Sequence, residues 1–331
     1  MNAYLGTISR TACEAPAMGR AALTGSPATI RTTPAFAGVD ASGLPRWREP
    51  GCGPAIRTAD EIDMIRAAGA VARAAVDAAL RAAVPGATTQ SLDAIVEGVI
   101  AAARAESAAR GFRRADGTAY PAASVIAVND RLVHALPTAE ALREGDVVTV
   151  DVAVRLRGWH ADCAASAVVG QGTAEGHALT DAASAMLRAA TSAIAPGARW
   201  SDVAAAMQDV AQSRGVGIVT DVAGHGIGRE LHEAPEAPCA VVPQLRERND
   251  FTLRPGMVIA VEPTIALRPD GDGGCVDATG CARPVELAAS LDGWTLRVES
   301  GLPGCYAEET IAVTRTGCEI LTERTRTRIH A

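Results

Sequence analysis

Two kinds of apolar pattern run along the chain, and each occurs twice. After Thr58, the residues Ile62, Ile65, Ala68, Ala72 and Val76 recur at helical spacing. Thr58-Ala59-Asp60-Glu61 precedes them and fits a capping box, with Glu61 placed to reach back to the cap amide. Gly69 interrupts the stripe and lowers its helix propensity. Pro85-Gly86 ends this helix, and Leu92, Ile95, Val96 and Val99 predict a second from about residue 91. Strands are then predicted over 124–128 and over the alternating 147–154. A turn over 155–159 and a return strand over 165–169 follow. Helices resume over 176–194 and 201–214, and further strands fall near 257–261, 294–298 and 310–313. Pro85-Gly86-Ala87 and Pro196-Gly197-Ala198 each separate two helices. The order helix, Pro-Gly-Ala, helix, strands therefore repeats, which predicts two similar α/β halves with a site between them.

Residues 1–56 carry neither pattern. They are rich in Ala, Pro, Gly, Ser and Thr and read as an N-terminal extension, poorly ordered or laid along the surface. Residues 57–331 read as one folded domain. Apolar residues make up 48% and charged residues 21%, a globular balance, and at 3% aromatics the core must be built from Ala, Val, Ile and Leu. The net charge of -7, with no basic block, argues against nucleic acid as a partner. No apolar run is long enough for a membrane span and no export signal opens the chain, so a cytoplasmic protein is expected. Eight cysteines in so long a chain do not require a disulfide scaffold.

The chemistry is carried by acidic residues set into the apolar runs. Asp151 interrupts Val147-Val148-Thr149-Val150 and Val152-Ala153-Val154, where a carboxylate is costly unless paired or bound to a metal. Asp162 follows eleven residues later, beyond a hairpin that would bring the two together. The plainer reading has Asp162 facing solvent and Asp151 capping a turn. Glu262 ends the run Met257-Val258-Ile259-Ala260-Val261, and Glu308 precedes Glu309, Thr310 and Ile311-Ala312-Val313. His225 and His232 stand seven apart in a glycine-rich stretch, where backbone can approach a ligand closely. Four carboxylates and a histidine suit two divalent ions such as Mn, Co, Fe or Zn. Paired ions about 3.5–4 Å apart activate water and polarise a carbonyl, which is the chemistry of amide or ester hydrolysis and needs no organic cofactor.

These residues lie in a longer series of motifs. The series runs Val128-Asn129-Asp130, His134-Ala135-Leu136-Pro137, Gly145-Asp146, Val150-Asp151-Val152, His160-Ala161-Asp162 and Gly224-His225-Gly226-Ile227-Gly228. It continues with Leu231-His232-Glu233-Ala234-Pro235, Pro255-Gly256-Met257, Glu262-Pro263, Asp292-Gly293-Trp294-Thr295 and Glu308-Glu309-Thr310-Ile311. In order and spacing it resembles the methionine aminopeptidase branch, type I-like, of the pita-bread metallopeptidases, over roughly residues 58–323. The resemblance implies an α+β pita-bread fold with two pseudo-symmetric halves around a dinuclear metal site. Asp151, Asp162, His225, Glu262 and Glu308 would be the ligands, with Asp151 and Glu308 bridging or bidentate. Glu262 would also handle the proton of the attacking water, His134 would position the substrate, and His232 would hydrogen-bond the carbonyl oxygen as it gains charge. Titration of the two histidines near neutrality would make activity fall in acid. The implied reaction is removal of the initiator methionine from peptides and nascent proteins, near the ribosome, by a monomer. The alternatives are a related peptidase with another first-residue or X-Pro preference, and a non-catalytic peptide-binding relative.

Departures from that pattern gather at the pocket, for which Tyr120, Val125, Leu231 and Trp294 are the candidates. Val125 stands where the family places a cysteine, Leu231 replaces an aromatic, and Ala135 replaces a glycine. The family's Glu-His pair is Glu308-Glu309 here. Glu309 is expected to add charge beside the site, for the substrate's ammonium group or the metals, or else to face solvent. Residues 267–291, with Cys275 and Cys281, read as a loop longer than the family's.

Overall fold

The computed structural model of the chain describes residues 54–114, 116–245, 249–269 and 274–323. It also describes, as backbone, an antiparallel pairing of Phe36–Val39 with Pro45–Trp47. The expectation for the extension 1–56 falls almost entirely outside the described residues. Four helices pack as two pairs: α1 (Ala59–Ala82) with α2 (Thr89–Ala102), and α3 (Ala174–Ala193) with α4 (Trp200–Arg214). The capping box is formed at the start of α1. Thr58 Oγ1 accepts from the Glu61 amide at 3.3 Å, and the Glu61 carboxylate accepts from the Thr58 amide at 2.9 Å. Thr88 and Ser91 cap α2 reciprocally, which starts that helix earlier than its apolar spacing indicates. Gly69 turns out to be a packing residue, since a Cβ there would stand 2.5 Å from the Leu321 carbonyl oxygen.

An 11-stranded antiparallel sheet holds the fold together. Its order is Glu233–Ala237, Gly224–Gly226, Val258–Val261, Glu308–Val313, Cys163–Val168, Val147–Asp151, Val125–Val128, Arg131–Val133, Leu296–Val298 and Leu287–Ala289, with Cys318–Ile320 beside Glu308–Val313. The sequence reading misses several of these strands, chiefly the short and glycine-rich ones. The order is symmetric about the seam between Glu308–Val313 and Cys163–Val168. On either side comes one inner strand, Val258–Val261 or Val147–Asp151, and then a hairpin. This realises the repeat expected from the two Pro-Gly-Ala segments.

The predicted strand 147–154 breaks at Asp151, and the predicted turn 155–159 is a small hairpin. Val154–Leu156 pairs with Trp159–Ala161 around Arg157 and Gly158, both in the left-handed region at φ 52° and 79°. That excursion occupies the residues between Asp151 and Asp162. Both helix pairs pack against the sheet. Val148 and Val150 pack with α1 and α2, while Ile259 and Val261 pack with α3 and α4. A third apolar cluster includes Tyr120, Val125, Ala127 and Trp294 and lies on the other face of strand Val125–Val128.

Within 267–291, Leu287–Ala289 pairs with Leu296–Val298, and Asp277 Oδ1 accepts from the amides of Thr279 and Cys281 at 2.8 and 3.1 Å. Cys275 and Cys281 are buried free thiols. No helix among the described residues is long and apolar enough to cross a membrane.

Candidate metal centre and its cleft

Strand register gathers the carboxylates on one face. Asp151 lies opposite Ala164, and Ala164 lies opposite Glu308 on the next strand. Directly opposed residues share a face, so Asp151 and Glu308 flank the small Ala164 side chain on one surface. Asp162 precedes Ala164 by two and joins that surface. Val261 pairs with Glu309, which places Glu262, one residue on, with Glu308. The symmetry relates these positions: Asp151 and Glu262 stand at the ends of the inner strands, and Asp162 and Glu308 at the starts of the seam strands. His225 enters from strand Gly224–Gly226, opposite Ala260. Ligand atoms of Asp162, His225 and Glu308 all lie within 4.8 Å of one another, the one such grouping among the described residues. These three are buried, while Asp151 and Glu262 beside them are half-buried.

Such crowding shifts proton equilibria. Burial and the neighbouring carboxylates hold Asp151, Glu262 and Glu308 well above the usual carboxylate range. Burial raises Asp162 to about 6, against hydrogen bonds from Asp151 and from the Cys163 amide at 3.0 Å. Tyr306 donates its hydroxyl to Asp151 Oδ2 at 3.0 Å. Glu308 Oε1 is buried with no hydrogen-bond partner among the described residues. Four carboxylates packed together with an orphaned oxygen fit divalent cations, which would replace the protons that otherwise relieve the repulsion.

The histidines occupy distinct places. His225 Nδ1 meets the Gly226 carbonyl oxygen at 3.0 Å, and a neutral ring donating there keeps its lone pair on Nε2. Burial pulls its pKa down to about 4. His232 packs edge-on to His225, with ring centres 4.4 Å apart, and edge-on to Phe112 at 5.4 Å. Its pKa lies well below the ordinary value, first through burial and then through the neighbouring histidines. His134 sits in the left-handed region at φ 50°, a strained backbone for this residue, and the residue as a whole is exposed. Crowding by protein and the charge of Arg114 lower its pKa too. Titration of His134 and His232 near neutrality, expected above, is therefore not what this environment supports.

Beside His134 lies the apolar cluster that holds three of the candidate pocket residues. Trp294 meets Tyr120 edge-on at 5.1 Å and His134 at 6.4 Å. Tyr120 donates its hydroxyl to the Ala135 carbonyl at 2.8 Å, which ties the pocket wall to the turn that carries His134. Val125 shares this cluster, whereas Leu231 packs with the core under α1 and α2. Sequence reasoning did not find Phe112 against His232, nor Arg114, whose guanidinium lies 5.5 Å from the Trp294 ring centre. Nor did it find Glu233 as the clamp of the His232 turn. Glu233 accepts from the amides of Arg229 and Glu230 at 2.8 and 3.1 Å and is paired with Arg57. Phe112 had one available signal, as one of only three phenylalanines.

Glu309 is a correction. Alternation turns its side chain to the opposite face from Glu308, toward α1, where it is bound by Arg73 at 2.6 Å and by the Thr322 hydroxyl. It neither faces the carboxylate cluster nor extends into solvent.

Comparisons with known proteins agree with this geometry. Residues 63–315 match the model of metallopeptidase family M24. Methionine aminopeptidase 1 of Mycobacterium tuberculosis is 36% identical over 273 residues, covering 80% of this chain and 94% of the relative. The methionine aminopeptidase of Escherichia coli is 30% identical over 271 residues, covering 81% and 94%. Among solved structures, the methionine aminopeptidase of Thermotoga maritima superposes with a TM-score of 0.72 at 31% identity, covering 82% of this chain and all of that one (100%). The prolidase of Pyrococcus furiosus, at 22% identity and a TM-score of 0.59 over 82% of this chain and 66% of its own, shares the fold. That shared fold is the pita-bread architecture, here seen as two helix pairs backing a symmetric curved sheet. With a family match across most of its length and relatives above 30% identity along nearly their whole chains, the protein belongs to metallopeptidase family M24.

Proposed function

We infer that the chain is a metal-dependent aminopeptidase that removes an N-terminal methionine from peptides and nascent proteins. The observation that carries this reading is the convergence of Asp162, His225 and Glu308, with Asp151 and Glu262 brought to the same face by strand register and His232 packed against His225. Two divalent ions, of Mn, Co, Fe or Zn, fit the donor set; when bound they supply activation of water and polarisation of the scissile carbonyl. Asp151, Asp162, His225, Glu262 and Glu308 would hold them. Tyr306 keeps Asp151 oriented through its 3.0 Å hydrogen bond.

Glu262 lines the cleft and is the residue to accept a proton from the attacking water. Ionised beside the bound cations, its carboxylate would take up that proton and pass it to the leaving amine. His232 remains neutral and serves as a hydrogen-bond donor to the carbonyl oxygen as charge develops there. His134 holds the substrate near the scissile bond at the pocket mouth. Tyr120, Val125 and Trp294, with Phe112 beside His232, form the apolar wall for the first side chain. The remainder of the proposal is a monomer working in the cytoplasm.

A second reading, an altered first-residue preference, draws support from Leu231 packing with a different core and from Arg114 covering Trp294. The test is a panel of X-Ala-Ser and X-Pro-Ala peptides, assayed after chelation and re-addition of Mn or Co. Release of methionine from Met-Ala-Ser, restored by metal, is the expected result. Metal-restored release of another first residue in preference favours the second reading, and no metal-restored release of any residue overturns the peptidase assignment.

A further inference from the structure

We propose that Arg73, on the helix behind the sheet, is a positioning residue of the metal centre, holding Asp162 and Glu308 in place through Glu309, Thr322 and Thr310. The inference rests on the metal-site reading above and adds a determinant outside the cleft. Arg73 is buried, and each nitrogen of its guanidinium faces a polar partner. Nη2 donates to Glu309 Oε1 at 2.6 Å, Nε donates to the Thr322 carbonyl at 2.9 Å, and Nη1 lies 3.6 Å from Asp77 Oδ1. The rigid fork of an arginine suits such a three-way contact, and a lysine cannot reproduce it.

The contact reaches the ligands by a short route. Thr322 Oγ1 donates to Glu309 and accepts from the Thr310 amide at 3.0 Å. Thr310 Oγ1 accepts from the Asp162 amide at 2.9 Å and donates to the Asp162 carbonyl at 2.8 Å. The hydroxyl thus continues the seam by one position past the backbone pairs Glu308–Ala164 and Glu309–Cys163. Asp162 and Glu308 are two of the three ligands whose donor atoms converge, and both have their backbone set at this seam. One turn earlier on α1, Gly69 receives the Leu321 carbonyl so closely that no side chain fits, so the helix grips the same terminal segment at two successive turns. The Glu309 side chain is the adjacent one on the far face of the strand, and Arg73 fixes which way that strand is turned.

The test uses the full chain with Mn²⁺ as the probe, read by calorimetric affinity, Mn²⁺ electron paramagnetic resonance and metal-free Tm. The variants are Arg73→Lys, which keeps the charge but loses the fork, and Arg73→Met/Glu309→Leu, which removes both charges together. Loss of a partner bonded directly to a metal ligand costs about 10–100-fold in affinity, and Arg73, which acts through intervening residues, is expected at the low end. We expect the double variant to bind Mn²⁺ at least about tenfold more weakly with an altered resonance line shape. Arg73→Lys should weaken binding to a lesser degree while its metal-free Tm stays close to the parent's. Affinity within twofold of the parent in every folded variant overturns the proposal, with Arg73→Lys deciding the matter if the double variant does not fold. A parent chain that binds no Mn²⁺ overturns the metal-site reading itself, and this inference with it.

Discussion

Replacing Asp162 with asparagine turns one of the three convergent donors from a carboxylate into a weakly binding amide and takes a charge from the site. Metal affinity and peptidase activity should fall together, which metal analysis and a turnover assay on one preparation would check. His232→Ala should behave differently. The ring is a proposed donor to the carbonyl oxygen and not a ligand, so metal content should stay near the parent's while kcat drops by about 10²–10³, the range for one such donor. Equal loss of metal in both variants would merge the two roles. The candidate ligand carboxylates are legible in the sequence because a carboxylate inside a run such as Val147–Val150 is energetically anomalous. Glu309 is not legible in the same way. Two adjacent glutamates look alike until the pairing of Val261 with Glu309 shows which one points at the site. Arg73 is hidden too, since its value depends on Thr322, distant in sequence and brought near only by the fold.

Among the elements, α1 is fixed more tightly than its alanine-rich stripe suggests. Gly69→Ala should gain up to about 1 kcal/mol in helix propensity. The new methyl, however, would meet a backbone carbonyl at 2.5 Å, and overpacking of this sort costs about 1–3 kcal/mol. The carbonyl belongs to Leu321, whose amide is bonded to Thr310 at 2.8 Å, so it has little freedom to retreat. Net destabilisation is expected, seen as a lower urea midpoint; a raised midpoint would contradict it. The helices were legible because caps and apolar spacing act locally. The strand Gly224–Gly226 was not, since its glycines carry no alternating pattern and its pairing depends on strands far along the chain. The hairpin between Asp151 and Asp162 was only half legible, because Arg157 adopts a positive φ that its residue type does not advertise.

For the molecule as a whole, the cleft sets how stability answers to pH. Its carboxyls are held above their ordinary range, Asp162 at about 6. Without cations the fold keeps protons that the unfolded chain releases above about pH 4, so these groups make it less stable as the pH climbs through about 6. His225, lowered to about 4, acts in the opposite direction between there and about 6.5, where only the unfolded chain takes up its proton. Cation binding needs the carboxyls deprotonated and His225 neutral, so both groups favour metal at higher pH. Mn²⁺ should therefore raise Tm more at about pH 7.5 than at about pH 5. Calorimetry with and without the ion checks this, and an equal rise at both would refute it. The symmetric sheet carries one more implication. Its two central strands pair at only two positions, Glu308–Ala164 and Glu309–Cys163, and the four like charges are gathered at that same place. Cations there would act as a fastener between two half-molecules. Stripped of them, the protein should breathe first along this line, with amide exchange quickening at residues 162–164 and 308–310 while the two helix pairs stay protected.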